Sequence, residues 1–370
     1  MKKKVLVVGI SGIYGGLEKI VLSIVEQCSH VNFEFLCFGQ ETLGRKEMLN
    51  ERKVYYVTAN RKNPWKSICE QKKFWIENGK KYDVVWINTC SASNISFHKF
   101  AKKYSNAKIV THSHSSRIEH DSALLRLFHY IRHYANRRKL VSLSDVLLTC
   151  SSQAGKHLYG HQRESIMINN GVDIEQYKYN PANRMRIRDE YAVEDDEVLI
   201  LMVGRLVEVK NPMYGLLILD NLLKRNKKAK LLFVGDGDLK ESLIDEAGKR
   251  NIQEHLLFAG FQKNVEWYLS AGDCFILPSL FEGLPLSVIE AQAANLPCIV
   301  SNRVTHEVKV SGLVNYLPIT ENDVNEWTNM IENLNYFDRN HYEGNSKILK
   351  FDLKFVKKQF LDALELHDDT

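Results

Sequence analysis

At 370 residues, 44% hydrophobic and 26% charged, the chain exceeds what one hydrophobic core usually supports, so two domains are expected. A net charge of +5 and a pI of about 8.6 fit nucleotide substrates or an anionic surface, and fall short of the concentrated charge of a nucleic-acid binder. The seven cysteines form no Cys-x-x-Cys pair, which argues against disulfides and against zinc.

Apolar runs predict strands at Val5–Gly9, Phe33–Phe38, Val54–Val57, Asp83–Asn88, Lys108–His112, Val146–Cys150 and Ser165–Ile168. A second series follows at Val198–Val203, Leu231–Val234, Leu256–Phe261, Cys274–Leu277, Cys298–Ser301 and Val314–Leu317. Helical patterns of about ten to twenty residues separate most of them, and that alternation predicts parallel, doubly wound sheets with ligand loops at the strand C-termini. The first apolar run is too short for a signal peptide or anchor, and no later run reaches spanning length. The expectation is a cytoplasmic protein.

Gly9, Gly12 and Gly15 follow the first strand with the spacing of a dinucleotide-binding turn. Dehydrogenases and sugar epimerases with that turn also place Tyr-x-x-x-Lys on one helix. The only match is Tyr104 with Lys108, and Lys108 begins a predicted strand. No acidic residue ends the second strand, where a ribose ligand is expected. Gly15 and Gly16 suit instead a loop whose backbone approaches a diphosphate.

Thr111-His112-Ser113-His114-Ser115 ends the fifth strand, and both histidines face one side if the strand continues. No third ligand has matching spacing, so a metal is not predicted. Leu124 to Leu140 predicts a helix with Leu124, Leu127, Phe128, Ile131 and Tyr134 on one face, framed by Arg126, Arg132, Arg137, Arg138 and Lys139. Two readings stay open: a packed helix with a wet basic side, or a helix lying on an anionic membrane. Asn169 to Asp173 reads as a hinge between domains, because Asn and Gly tolerate left-handed backbone.

In the second half, Gly204 to Pro212 follows a strand and carries Arg205 and Lys210, a planar fork and a point charge suited to one diphosphate. Gly235-Asp236-Gly237-Asp238 resembles a metal-binding Asp-x-Asp, but reads better as a turn opening a helix at Asp238. Pro278 to Ala291 holds Glu282 before a predicted helix and Glu290 inside it. A helix start after a Gly-Pro turn favours phosphate, and carboxylates beside it suit neutral hydroxyls. Phe351 to Leu366 predicts a last helix, apolar at Leu353, Val356, Phe360 and Leu364.

Four stretches, Gly15–Glu18, Thr111–Ser115, Gly204–Asn211 and Phe281–Pro297, resemble the retaining nucleotide-sugar glycosyltransferases of family four (glycosyl transferases group 1), especially those of bacterial exopolysaccharide and capsule assembly. Asn170–Asp173 and Val234–Gly237 echo the same family. The resemblance implies an α/β GT-B architecture: two Rossmann-like, doubly wound domains facing a cleft. An acceptor-side domain would span 1–170, with helix 351–366 packing back on it, and a nucleotide-sugar donor domain 171–350. It implies that His114, in preference to His112, is the acceptor-side histidine. Arg205 and Lys210 would hold the diphosphate, Glu282 the donor-sugar hydroxyls and Glu290 the ribose. Gly15, Gly16, Gly204, Gly235, Gly283, Leu284 and Leu286 would complete the donor site, with backbone amides of Gly283 to Leu286 on phosphate.

No cofactor and no metal are expected, since the nucleotide-sugar is itself a substrate. The implied activity is transfer of a hexose, from a UDP-sugar first of all, to a hydroxyl of a lipid-linked saccharide in surface-polysaccharide biosynthesis, at the inner face of the plasma membrane. Three alternatives stand beside it. One is an NAD-dependent sugar-nucleotide epimerase or dehydrogenase. Another is a non-catalytic partner subunit, against which Arg205, Lys210, Glu282 and Glu290 are all present. The third is a phosphorylase, which needs a pyridoxal phosphate lysine and a longer chain.

Overall fold

The computed structural model describes residues 2–10, 16–39, 49, 52–59, 63–115, 122–161, 163–334, 339 and 346–366. The chain divides into two compact units, Met1–Gly171 with Leu353–Thr370, and Val172–Asp352.

The first unit holds seven parallel strands: β1 (Lys4–Val8), β2 (Asn32–Phe38), β3 (Val54–Val57), β4 (Val84–Thr89), β5 (Lys108–Ser113), β6 (Val146–Thr149) and β7 (Ile166–Met167). Their order is β3-β2-β1-β4-β5-β6-β7. Helices α1 (Gly16–Gln27), α2 (Pro64–Asn78), α3 (Ser96–Tyr104), α4 (Ala123–Leu143) and α5 (Ser152–Tyr159) connect them. Side chains alternate across each strand, so β4 serves two cores. Val85 and Ile87 pack with Phe74, Trp75 and Phe97 of α2 and α3. Trp86, between them in sequence, meets Phe360 with ring centroids 4.5 Å apart. Phe360 lies on the C-terminal helix, which therefore returns to this unit and buries Val356, Phe360 and Leu364.

The second unit repeats the same strand order. Its strands are β8 (Val198–Val203), β9 (Ala229–Val234), β10 (Leu256–Gly260), β11 (Cys274–Leu277), β12 (Cys298–Ser301) and β13 (Val314–Leu317). They run β10-β9-β8-β11-β12-β13, all parallel. Its helices are α6 (Pro181–Glu190), α7 (Pro212–Lys224), α8 (Lys240–Arg250), α9 (Val265–Ala271), α10 (Leu286–Ala293) and α11 (Val324–Glu332). Leu199, Leu201 and Val203 enter one core, and Ile200 and Met202 enter the other. Such apolar runs, buried on both faces, are the mark of a covered parallel sheet. Asp273 ties α6 to the N-terminal end of the interior strand β8. It receives Arg184 at 2.7 Å, Arg188 at 3.0 Å and the Leu199 amide at 2.8 Å.

Every predicted strand is present, with ends shifted by two residues at most. Three other boundaries move. The predicted helix 351–366 divides into a 3₁₀ turn, Ser346–Phe351, and helix α12, Leu353–Leu364. Phe351 stays with the second unit, its carbonyl accepting from the Val172 amide at 2.8 Å, so that unit runs to Asp352 and not to 350. Asp238 does not open a helix either. α8 begins at Lys240 with Leu239 as its N-cap, and the Asp236 carboxylate instead turns back onto the Gly237 amide at 2.8 Å. Among the described residues no helix is long and apolar enough to cross a membrane.

Candidate active site

In a doubly wound sheet, ligands bind outside the strand C-termini where the strand order reverses, because the two flanking loops part there. In the second unit the reversal lies between β8 and β11. The loop after β8 starts at Gly204 (φ +144°) and passes through a 3₁₀ turn, Glu208–Lys210. Asn211 then turns left-handed (φ 53°) and Pro212 starts α7. The loop after β11 runs from Pro278 to Pro285. The two loops touch: the Leu280 amide donates to the Val209 carbonyl at 2.9 Å.

Lys210 and Glu282 meet at this crossing. Lys210 Nζ lies 2.5 Å from Glu282 Oε1, and both side chains are mostly shielded from solvent. The buried Ser279 hydroxyl donates to the same carboxylate oxygen at 3.3 Å. Lys210 is therefore held by a carboxylate, a pairing that the sequence spacing did not reveal. Arg205 is exposed, with no ion pair among the described residues. The stem of Lys210 crosses over Gly204, where a Cβ would lie 3.4 Å from Lys210 Cε. Gly235, at the end of β9, is more constrained: with φ at +147°, a Cβ there would fall 2.0 Å from the Gly204 carbonyl oxygen.

Helix α10 starts behind Pro285, and no side chain caps it. Its first N–H groups carry the positive end of the peptide dipoles. One expectation needs correction here. Pro285 has no N–H, so amides in this stretch can come only from Gly283, Leu284 and Leu286. The side chains of Leu284 and Leu286 pack partly buried against the core. A Cβ on Gly283 would meet nothing within 4 Å, so open space adjoins it. Glu290, a turn further on, is buried.

The first unit reverses between β1 and β4. Gly9 (φ +102°) ends β1 so close to β4 that a Cβ would strike the Asn88 carbonyl oxygen at 2.0 Å. His114 Nε2 lies 2.8 Å from Asn88 Oδ1, so that nitrogen carries the ring proton, and the His114 amide donates to the Thr89 carbonyl at 3.3 Å. The β5 pairing thus extends one residue beyond the strand, and His112 and His114 share a side with ring centroids 4.1 Å apart. Burial holds His114 down to about 3, and pushes His112 well below the ordinary histidine range, with the neighbouring His114 adding to it. Both imidazoles are neutral at physiological pH. His112 is fully buried and stacks on Trp86 with centroids 6.1 Å apart. Its two ring nitrogens have no partner among the described residues.

Gly15 lies outside the described residues, and Gly16 is the first residue of α1. Tyr104 ends α3 while Lys108 opens β5, which separates the epimerase-like pair onto different elements.

Residues 183–334 match the family model described as glycosyl transferases group 1. That stretch contains Arg205, Lys210, Glu282 and Glu290. A putative glycosyltransferase of Bacillus subtilis (strain 168), EpsF, is 28% identical over 333 residues, 86% of this chain and 84% of that protein. The Escherichia coli UDP-Gal:alpha-D-GlcNAc-diphosphoundecaprenol alpha-1,3-galactosyltransferase is 34% identical over 181 residues, 48% of this chain and 46% of that one. Anabaena HepE, solved in complex with UDP and glucose, superimposes with a TM-score of 0.75 at 18% identity, covering 98% of this chain and 99% of its own. The fold is that of the GT-B glycosyltransferases, and the sequence matches support glycosyltransferase activity.

Proposed function

We propose that the chain is a retaining hexosyltransferase that takes its sugar from a nucleoside-diphosphate sugar, a UDP-sugar first, and passes it to a hydroxyl of a lipid-linked saccharide. The observation that carries this is the Lys210–Glu282 pair at the β8–β11 reversal, beside the uncapped start of α10. A diphosphate placed there supplies the anion that Lys210 lacks apart from Glu282. Once Lys210 turns to phosphate, the Glu282 carboxylate is released toward the hydroxyls of the donor sugar. Glu290 is assigned to the ribose.

Arg205, Lys210 and the first amides of α10 would stabilise charge on the departing diphosphate, commonly the largest catalytic contribution. Attack on the same face as departure lets a phosphate oxygen accept the acceptor's proton, so no side chain needs to become covalently attached. His114, neutral and oriented by Asn88, is assigned to the sugar or acceptor. These groups do the work that a divalent ion does in other transferases, so the proposal includes metal independence. The supporting likenesses are a family model that covers the donor residues and relatives whose names include a UDP-galactose-dependent enzyme.

UDP-, GDP- and ADP-hexoses screened for donor hydrolysis, with and without EDTA, test this directly. Turnover of a UDP-hexose with the α-anomer released first, unaffected by EDTA, is the expected result. First release of the β-anomer would refute retention, and loss of activity in EDTA restored by manganese would refute metal independence.

A further inference from the structure

Helix α4 presents its apolar stripe to solvent. Leu124, Leu127, Phe128, Ile131 and Tyr134 fall within about a third of the helical circumference, at 3.6 residues per turn, and are 51–76% exposed. The opposite face holds the helix in place. His133 is fully buried, its Nδ1 accepting from the Ala92 amide at 3.0 Å and its Nε2 donating to the His157 carbonyl at 3.0 Å. Leu140 and Val141 join a core with Ile95, Leu147 and Leu158. Of the two readings that periodicity left open, packing of the apolar stripe is therefore excluded. That stripe is the face left outside.

We infer that this face docks on an anionic lipid bilayer. Charge selects that occupant. The helix carries five Arg and Lys residues and no Asp or Glu, which equals the net charge of +5 for the whole chain. Arg132, Arg138 and Lys139 are exposed beside the apolar stripe. Arg132 lies over the Phe128 ring, 5.5 Å from its centroid. Arg137 leaves the expected set, because it lies 5.2 Å from the Tyr134 ring centroid and packs against Gly160, turned away from the outer face. Apolar side chains at the centre and cations at the margin match the acyl–headgroup boundary, where leucine and phenylalanine sink and arginine meets phosphate. A second copy of the helix would bring Arg132, Arg138 and Lys139 against the same three cations, so self-pairing is disfavoured. This docking goes beyond the donor chemistry and depends on none of its residues.

Sedimentation with vesicles of phosphatidylcholine alone, or containing a third phosphatidylglycerol, tests it on the full chain. The chain is expected to pellet with the anionic vesicles and to come off in 0.5 M salt, since exposed charges are screened within about 10 Å at 0.1 M and more tightly above it. The triple variant Arg132→Glu, Arg138→Glu, Lys139→Glu should bind on the order of a hundredfold more weakly, at about 1 kcal/mol for each basic residue near an anionic surface. Leu127→Asn with Ile131→Asn should also lose binding. Hydrolysis of the nucleotide-sugar should be unchanged in both variants, which separates docking from catalysis. Wild type that stays in solution with anionic vesicles, or a triple variant that binds as wild type does, would overturn the inference. So would a lipid-free dimer that the Leu127 and Ile131 substitutions convert to monomer, because the occupant would then be a second copy.

Discussion

Burial at the histidines of the first unit carries a consequence for folding at acid pH. His98 is buried, 3.0 Å from the Thr111 hydroxyl, and burial lowers it to about 4, while burial and the neighbouring His114 push His112 well below the ordinary range too. An unfolded histidine titrates near 6.5, so below that pH the unfolded chain binds protons that the folded chain refuses. Stability should then fall as pH drops from about 6.5 toward 4, by roughly 1.4 kcal/mol per pH unit for each such ring. Denaturant unfolding at pH 7.5, 6.0 and 5.0 measures this. His98→Gln, which keeps a partner for Thr111, should make the decline shallower. A pH-independent midpoint across that range would contradict the neutral assignment. The same neutrality means that His114 serves the proposed reaction as a hydrogen-bonding group and not as a cation.

At the scale of elements, the two reversal points depend on glycines that bring neighbouring loops together. Gly235→Ala puts a methyl 2.0 Å from the Gly204 carbonyl oxygen in a backbone conformation that L-residues avoid, so the strand ends must separate. A loss of about 3 kcal/mol or more in unfolding free energy is expected. Gly283→Ala meets open space and should change stability by less than about 1 kcal/mol, yet weaken donor binding if the donor lies there. Equal effects of the two substitutions on stability would contradict this assignment of space. Strands such as Ile200–Val203 and Cys274–Leu277 were readable in the sequence because both faces are buried and the apolar run is unbroken. The Lys210–Glu282 contact was not, since it joins loops seventy-two positions apart and only the strand order brings them together. For α4, periodicity defined an apolar stripe but could not tell which side packs. His133 and Leu140, scattered in sequence, settle that from the other face. Pro285 shows already in the sequence that this stretch lacks one amide, since an imino acid offers none to a phosphate.

Across the whole molecule, two units of the same strand order each place their candidate residues at the reversal of the sheet: Gly9, Asn88 and His114 in the first, Gly204, Lys210 and Glu282 in the second. Shared topology explains why chemistry gathers at both, since parallel strands direct their C-terminal loops to one edge. Fold likeness to HepE reaches almost the whole chain, while the family model covers only residues 183–334, within the second unit. A nucleoside diphosphate should accordingly bind in that unit, at the β8–β11 reversal. Titration of UDP into the full chain, followed by calorimetry, measures that binding. Wild type should bind UDP, and Lys210→Ala and Glu290→Gln should each weaken binding by about tenfold or more, the cost of a lost charge-assisted hydrogen bond, in chains that circular dichroism shows to be folded. Affinity for UDP that survives both substitutions intact would place the nucleotide elsewhere.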